Sequence, residues 1–308
     1  MPDRYAYLGP PGTFTQQALL STVGPDTELV PMSGVPAVCA AVRDGSVDFG
    51  LVPLENSVEG PVPTTTDELV VGQGLQIVRE VFLDVTFVLA ARPGVALSDV
   101  STVATHPHAE AQVRGWLSAH LPDSQYTAVS STAEAASRVG AGEYDAAVCA
   151  SIAARNNGLD VLADRIEDSA GAVTRFAVLA RPGRPPQATG NDRTSFVVHI
   201  RQEQSGALSG VLTELAGRSI NLTRIESRPW RERIGEYHFI LECEGHIADP
   251  RVGEALAALH RVCADVLFLG SYPRADRANE PLPAYATDEV FDEASRWLAQ
   301  MRTGESAE

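Results

Sequence analysis

A chain of 308 residues is too long for one typical small domain and suits two, and with 44% hydrophobic and 21% charged residues it can bury a sizeable core. Forty acidic residues against 24 basic ones give a formal charge of −16, which argues against a nucleic-acid partner, since that needs a basic face; an anionic ligand would have to be held by local donors against the overall field. No run approaches the roughly 18 apolar residues of a membrane span, no basic segment followed by a long apolar one opens the chain, and Cys39, Cys149, Cys243 and Cys263 form no close CxxC pair, so the expected address is a reducing cytoplasm, with no membrane, zinc site or disulfide framework.

In chain order, RYAYLG predicts a strand and TFTQQALLSTV a helix, in which Thr13 and Gln16 fit the T-x-x-Q capping box. ELVPM and DFGLVPL predict strands on either side of the helical PAVCAAVRDG. LQIVREVFLDVTFVLAA reads as one long strand, and VSTVATH, QYTAVS, DAAVCA and RFAVLAR as further ones, with HAEAQVRGWLSAHL and TAEAASRVGAGE as helices between them. This alternation indicates an α/β domain with mostly parallel sheets. VRDGSVDFGLVP (42–53) is echoed by VGAGEYDAAVCA (139–150): each follows a helical stretch and has Gly, then Asp three residues later, then an apolar strand. The echo predicts two similar lobes with a cleft between them, although helix, Gly stop, Asp and strand is also ordinary α/β punctuation.

The Pro- and Gly-rich stretch that follows marks a linker, and the expected division is 1–183 as a two-lobed domain, 184–193 as the linker, 194–273 as a second domain and 274–308 as a tail. TSFVVHIR, GALSGVLTELAGR, INLTRIESRP, GEYHFILECEGH, PRVGEALAALHRVC and ADVLFLGSYP give βαββαβ, the ferredoxin-like order. The tail carries one apolar patch, VFDEASRWLAQM, expected as a surface helix.

Four stretches could carry chemistry. At LGPPGTFTQQAL, free N–H groups near Thr13 at a helix start suit a carboxylate. In VPLENSVEGPVPTTTDEL, Asn56 and Ser57 either meet a ligand or form a polar turn, with Thr65 or Thr66 as a helix cap. VSTVATHPHAEAQV places Thr105 at a strand end and Gln112 about two turns into a helix; His106 and His108 make a poor metal pair and read better as surface histidines of a Pro-initiated helix. Thr174 and Arg175 stand at the mouth of a buried strand, either as a polar edge or as donors facing the cleft. In an extended segment Arg175 points opposite to Thr174.

GPPGTFT, PLENSVEG, HPHAEAQ and TRF, followed by GALSG and ESRP, occur in that order from about Tyr5 to about Pro273, and together they closely resemble the prephenate dehydratase family. The resemblance implies a catalytic domain of two α/β lobes like type II periplasmic binding proteins, followed by an ACT domain. It implies loss of carbon dioxide and water from prephenate to give phenylpyruvate in phenylalanine synthesis, with no cofactor. It places the essential hydroxyl on Thr174 and substrate contacts on Asn56, Thr105 and Gln112. It implies phenylalanine as effector, bound at Gly206, Ala207 and Leu208 and at Glu226, Ser227, Arg228 and Pro229, between paired ACT domains of a homodimer or homotetramer. Ser209 stands where the family motif has Val, which removes an apolar wall from the effector site. Arogenate as substrate, or a non-catalytic amino-acid sensor, are the rival readings.

Overall fold

The computed structural model describes residues 3–71, 74–200, 205–229, 237–276 and 281–304. By Cα proximity the chain forms two units, Met1–Gly72 with Val81–Arg181, and Gln73–Glu80 with Pro182–Glu308. The expected division was continuous along the chain; here residues 73–80 group with the second unit.

In the first unit, lobe A is built from β1 (Arg4–Leu8), α1 (Phe14–Leu20), β2 (Glu28–Met32), α2 (Val35–Arg43), β3 (Phe49–Asn56), β4 (Gly60–Pro61) and α3 (Pro63–Val71). Strand β5 (Gln76–Asp84) leads towards lobe B, which holds β6 (Val88–Ala91), β7 (Thr102–Thr105), α4 (Pro107–His120), β8 (Gln125–Ala128), α5 (Thr132–Gly140), β9 (Ala146–Cys149), α6 (Ser151–Asn156) and β10 (Asp160–Asp164). The chain then returns to lobe A as β11 (Val173–Ala180). The sheet orders are β2-β1-β3-β11-β5 and β10-β6-β9-β7-β8.

The predicted echo is realised. β1 pairs in parallel with β2 and β3, and β11 runs antiparallel to β3; β7 pairs in parallel with β8 and β9, and β6 runs antiparallel to β9. The sheets are therefore mixed rather than mostly parallel. The long apolar run 75–91 is also two strands in two different sheets, not one. Its second part shows no alternation because lobe B's sheet is covered on both faces: Leu89 and Ala91 join one core cluster while Val88 and Ala90 join the other. Strand β10 and helix α6 had no counterpart in the predicted elements.

The punctuation of the echo has a physical purpose. Gly45 (φ 78°) and Gly142 (φ 85°) end their helices in the left-handed region. Three residues on, Asp48 Oδ2 accepts from the Arg4 N–H at 2.9 Å, and Asp145 Oδ2 accepts from the Thr102 N–H at 2.9 Å, so each carboxylate anchors the neighbouring strand. Arg181 Nη1 donates to the Val42 and Val47 carbonyls, both at 2.9 Å; Arg92 Nη1 donates to Val139 and Tyr144 at 2.8 and 3.0 Å. Each guanidinium thus caps a helix C-terminus and the turn after it, at matching positions of the two lobes.

The second unit has the expected βαββαβ order: β12 (Asp192–His199), α7 (Ala207–Ala216), β13 (Leu222–Pro229), β14 (Tyr237–Glu244), α8 (Pro250–Val262) and β15 (Asp265–Pro273), with strand order β13-β14-β12-β15. Its core lies between the sheet and the two helices, around Phe196, Leu215, Leu241 and Leu259. Buried Arg193 holds Glu80 at 2.6 Å and Asp276 at 3.1 Å, while Arg274 holds Glu244 at 2.6 Å, so one charge network ties residue 80 and the start of the tail to this sheet. The tail carries α9 (Asp288–Thr303), a surface helix with no buried residue.

Candidate functional site

The first unit contains a cavity of about 560 Å³, within the usual range for a small-molecule site. Lobe A brings Thr13, Asn56 and Thr174 to it; lobe B brings His106, His108, Gln112 and the serines ahead of α5. The lobes approach closely nearby: a Cβ at Gly12, whose φ is 93°, would lie 3.2 Å from Ala153 Cα.

The polar centre is one hydrogen-bond chain. Thr174 and Asn56 face each other across the antiparallel pair β11 and β3. Asn56 Oδ1 accepts from the backbone N–H groups of Val58 at 2.8 Å and Glu59 at 3.1 Å, an Asx turn that fixes which end of the amide is oxygen. Nδ2 must then point the other way, and it donates to Thr174 Oγ1 at 2.9 Å. The threonine oxygen is the acceptor, so its own hydrogen is left for whatever occupies the cavity. Among the described residues Thr174 has no other side-chain hydrogen bond.

The remaining expected residues divide into those that line the cavity and those that do not. Thr13 lines it and caps α1, its Oγ1 accepting from Gln16 N–H at 3.4 Å and donating to the Leu8 carbonyl at 3.0 Å. The Gln16 side chain reaches Gly12 N–H at 2.6 Å instead of the cap residue's own N–H, one residue off the expected box. Gln112 lines the cavity, and the Asp168 N–H donates to its carbonyl at 2.8 Å. Thr105 is fully buried and donates to the Val148 carbonyl at 2.7 Å; it is not part of the lining. Ser57 also lies off the lining, where its Oγ accepts from Val173 N–H at 2.9 Å and clamps the start of β11. Arg175 is buried and does not line the cavity, as its alternation with Thr174 requires. Thr65 and Thr66 sit inside α3, donating to the Pro53 and Val62 carbonyls, and cap nothing.

Phe14, Phe87 and Glu59 also line the cavity, and the sequence does not mark them. Phe14 and Phe87 meet edge to face at 5.4 Å and make an apolar wall. His106, expected on the surface, caps α4: its Nδ1 accepts from His108 N–H at 3.2 Å, and burial lowers its pKa, with the charge of His108 adding to the effect. Glu59 faces the cavity beside them. A glutamate next to a glycine turn gives no signal of its own in one sequence. Among the described residues no arginine belongs to the lining; the start of α5, at Ser131–Thr132, puts a helix N-terminus beside the cavity, whereas α4 opens with Pro107, which has no N–H, and its next N–H, on His108, is held by His106 Nδ1.

In the second unit, Gly206 (φ 88°) is the N-cap of α7, with Ala207, Leu208 and exposed Ser209 in its first turn. Glu226, Ser227, Arg228 and Pro229 form the later half of β13, an edge strand; the Glu226 carboxylate is held by Arg224 Nη2 at 2.6 Å, with Arg228 Nε 3.3 Å away. Residues 201–204 and 230–236, next to both motifs, lie outside the described residues.

Residues 5–184 match the family described as prephenate dehydratase, and residues 194–261 match the ACT domain. The prephenate dehydratase of Mycobacterium tuberculosis is 48% identical over 310 residues, covering 98% of this chain and 94% of that protein. A crystal structure of prephenate dehydratase from Arthrobacter aurescens in complex with L-Phe matches with a TM-score of 0.91 at 43% identity, covering 97% and 99% of the two chains. A structure described as GqqA, a novel type of quorum quenching acylase, matches with a TM-score of 0.81 at 32% identity over 89% of this chain and 98% of that one.

Proposed function

Because this chain belongs to the prephenate dehydratase family, we propose that its cavity binds prephenate and that Thr174 assists departure of the ring hydroxyl as the ring carboxylate leaves. The C–C bond to the carboxylate breaks, its electron pair enters the ring, and the C4–O bond breaks. Carbon dioxide and hydroxide depart, the hydroxide takes a proton to become water, and aromatic phenylpyruvate remains. The electron sink is the ring itself.

The observation that carries this reading is the direction of the Asn56–Thr174 hydrogen bond. Asn56 makes the Thr174 oxygen an acceptor, and the O–H is then aimed at the occupant. A threonine hydroxyl is a weak acid, so it stabilises the developing charge on the leaving oxygen more than it delivers a full proton, an effect of roughly 10²–10⁴-fold. The helix start at α5 and the N–H groups near Thr13 suit the two carboxylates, and Phe14 with Phe87 suits the ring. The acylase neighbour prompts an acyl-transfer alternative. Among the described residues, however, no imidazole or carboxylate hydrogen-bonds the Thr174 hydroxyl, and a nucleophile would need such a base.

Phenylalanine is the proposed effector, bound by the Gly206–Leu208 turn and the Glu226–Pro229 strand between ACT domains of two copies. The exposed edge strand β13, with Ile225 49% exposed, suits such pairing. The reading is tested by incubating the chain with prephenate and following phenylpyruvate absorbance, with arogenate and an N-acyl amide as competitors, with and without saturating L-phenylalanine. Rapid phenylpyruvate formation, suppressed by phenylalanine, is the expected result. Absence of product identifies a sensor; unaltered turnover with phenylalanine removes the feedback role.

A further inference from the structure

The hydrogen-bond chain that aims Thr174 does not end at Asn56. Glu59, whose N–H donates to Asn56 Oδ1 at 3.1 Å, sends its carboxylate across the cavity mouth to the other lobe, where Oε2 lies 3.0 Å from His108 Nδ1. Glu59 belongs to the turn between β3 and β4 of lobe A; His108 belongs to the first turn of α4 in lobe B. Both ends are braced. The turn is held by Asn56 Oδ1, and the His108 backbone N–H is held by His106 Nδ1 at 3.2 Å.

We propose that Glu59 and His108 are positioning residues: a latch between the lobes which, when closed, fixes the turn that orients Asn56 and through it the Thr174 hydroxyl. The relay runs His108 Nδ1–H to Glu59 carboxylate, Glu59 N–H to Asn56 Oδ1, and Asn56 Nδ2–H to Thr174 Oγ1. It touches no reacting atom. It makes orientation of the hydroxyl conditional on closure, so the donor is in place when the lobes surround a ligand and water is excluded. The His108 and Glu59 side chains are 67% and 43% exposed; a contact so exposed, a neutral hydrogen bond or, with the imidazole protonated, an ion pair, is weak. Weakness suits a contact that must break each time substrate enters and product leaves.

The inference rests on Thr174 acting in turnover of prephenate, and its test separates the two. Glu59→Ala, His108→Ala and the double variant are compared with the parent chain. Each single change is expected to lower kcat about five-fold and the double no further, because both remove one interaction. Glu59→Gln, which still accepts from His108, is expected to stay within about two-fold. Losses that multiply in the double variant, or a rise in KM with kcat intact, overturn the relay. A second readout needs no catalysis: spin labels at Leu20→Cys in lobe A and Val161→Cys in lobe B, both exposed sites, report the distance between lobes. Loss of either latch residue is expected to add a longer-distance population, and an unchanged distribution overturns the latch. Should the parent chain fail to turn over prephenate while the distances still respond, the substrate assignment fails and the latch stands.

Discussion

Lobes A and B share a frame and differ in where the frame stops. In both, a helix ends at a left-handed glycine, an aspartate anchors the adjacent strand, and an arginine from the antiparallel strand's end caps the helix carbonyls. In lobe B the antiparallel pair is short: β6 and β9 have four residues each, and after Cys149 the chain passes into α6. In lobe A, β3 and β11 have eight residues each and continue past a bulge at Arg175/Phe176. Asn56 and Thr174 lie on that continuation. The copy in lobe A is the longer and brings Asn56 and Thr174 to the cavity, while lobe B brings the start of α5. The hydrogen bonds of the frame are common to the lobes, and the Asn56–Thr174 pair is not.

Four changes test this contrast. Thr174→Val keeps the shape of the side chain and removes the donor; kcat should fall roughly 10²–10⁴-fold with KM little altered, as measured by steady-state phenylpyruvate formation. Asn56→Asp replaces the amide donor by a carboxylate, which makes Thr174 donate to residue 56 and turns its hydrogen away from the cavity. A loss of about 10²-fold in kcat is expected, whereas Asn56→Asp at near-normal rate would show that the direction of this hydrogen bond is immaterial. Arg181→Ala and Arg92→Ala each remove two hydrogen bonds to carbonyls at matching places, so denaturant melts should show comparable losses of about 2 kcal/mol. Unequal losses would mean that the frames are alike in outline only.

The smallest effect concerns Asp145. The Thr102 hydroxyl, aided by the Ser101 and Thr102 N–H groups, holds its carboxyl below the usual carboxylate range. A folded-state pKa below the unfolded one adds stability that is present above the unfolded value and is lost as pH falls through the folded one. Asp145→Ala should therefore cost about 1–2 kcal/mol near neutral pH, and the difference from the parent should shrink in acid, as read from melts across pH. An equal cost at every pH would contradict the assignment.

The frame was legible because its punctuation is local: Gly45 and Gly142 need positive φ, and an aspartate three residues later has a strand N–H to meet. The break between β5 and β6 was not, since a strand buried on both faces shows no alternation and exposed Asp84 was the sole mark of the crossing. Asn56, Gln112 and Thr174 came from ordered motifs and not from periodicity. Thr105 and Ser57 stand at strand ends like Thr174 does, and one sequence gives no sign of which hydroxyl meets the cavity and which is spent on Val148 or Val173. Glu59 carries no mark in the sequence, and His108 reads there as a surface histidine; their pairing joins two lobes, and only folding brings them together.

In the proposed reaction the Thr174 O–H, oriented through Asn56, meets the leaving oxygen. A crystal structure with a non-reactive cyclic dicarboxylate that keeps the C4 hydroxyl tests it most directly. Thr174 Oγ1 is expected within about 3 Å of that hydroxyl oxygen, with Asn56 Nδ2 still on Thr174. A bound analogue whose hydroxyl points to lobe B, with Thr174 facing a carboxylate or nothing, would contradict it.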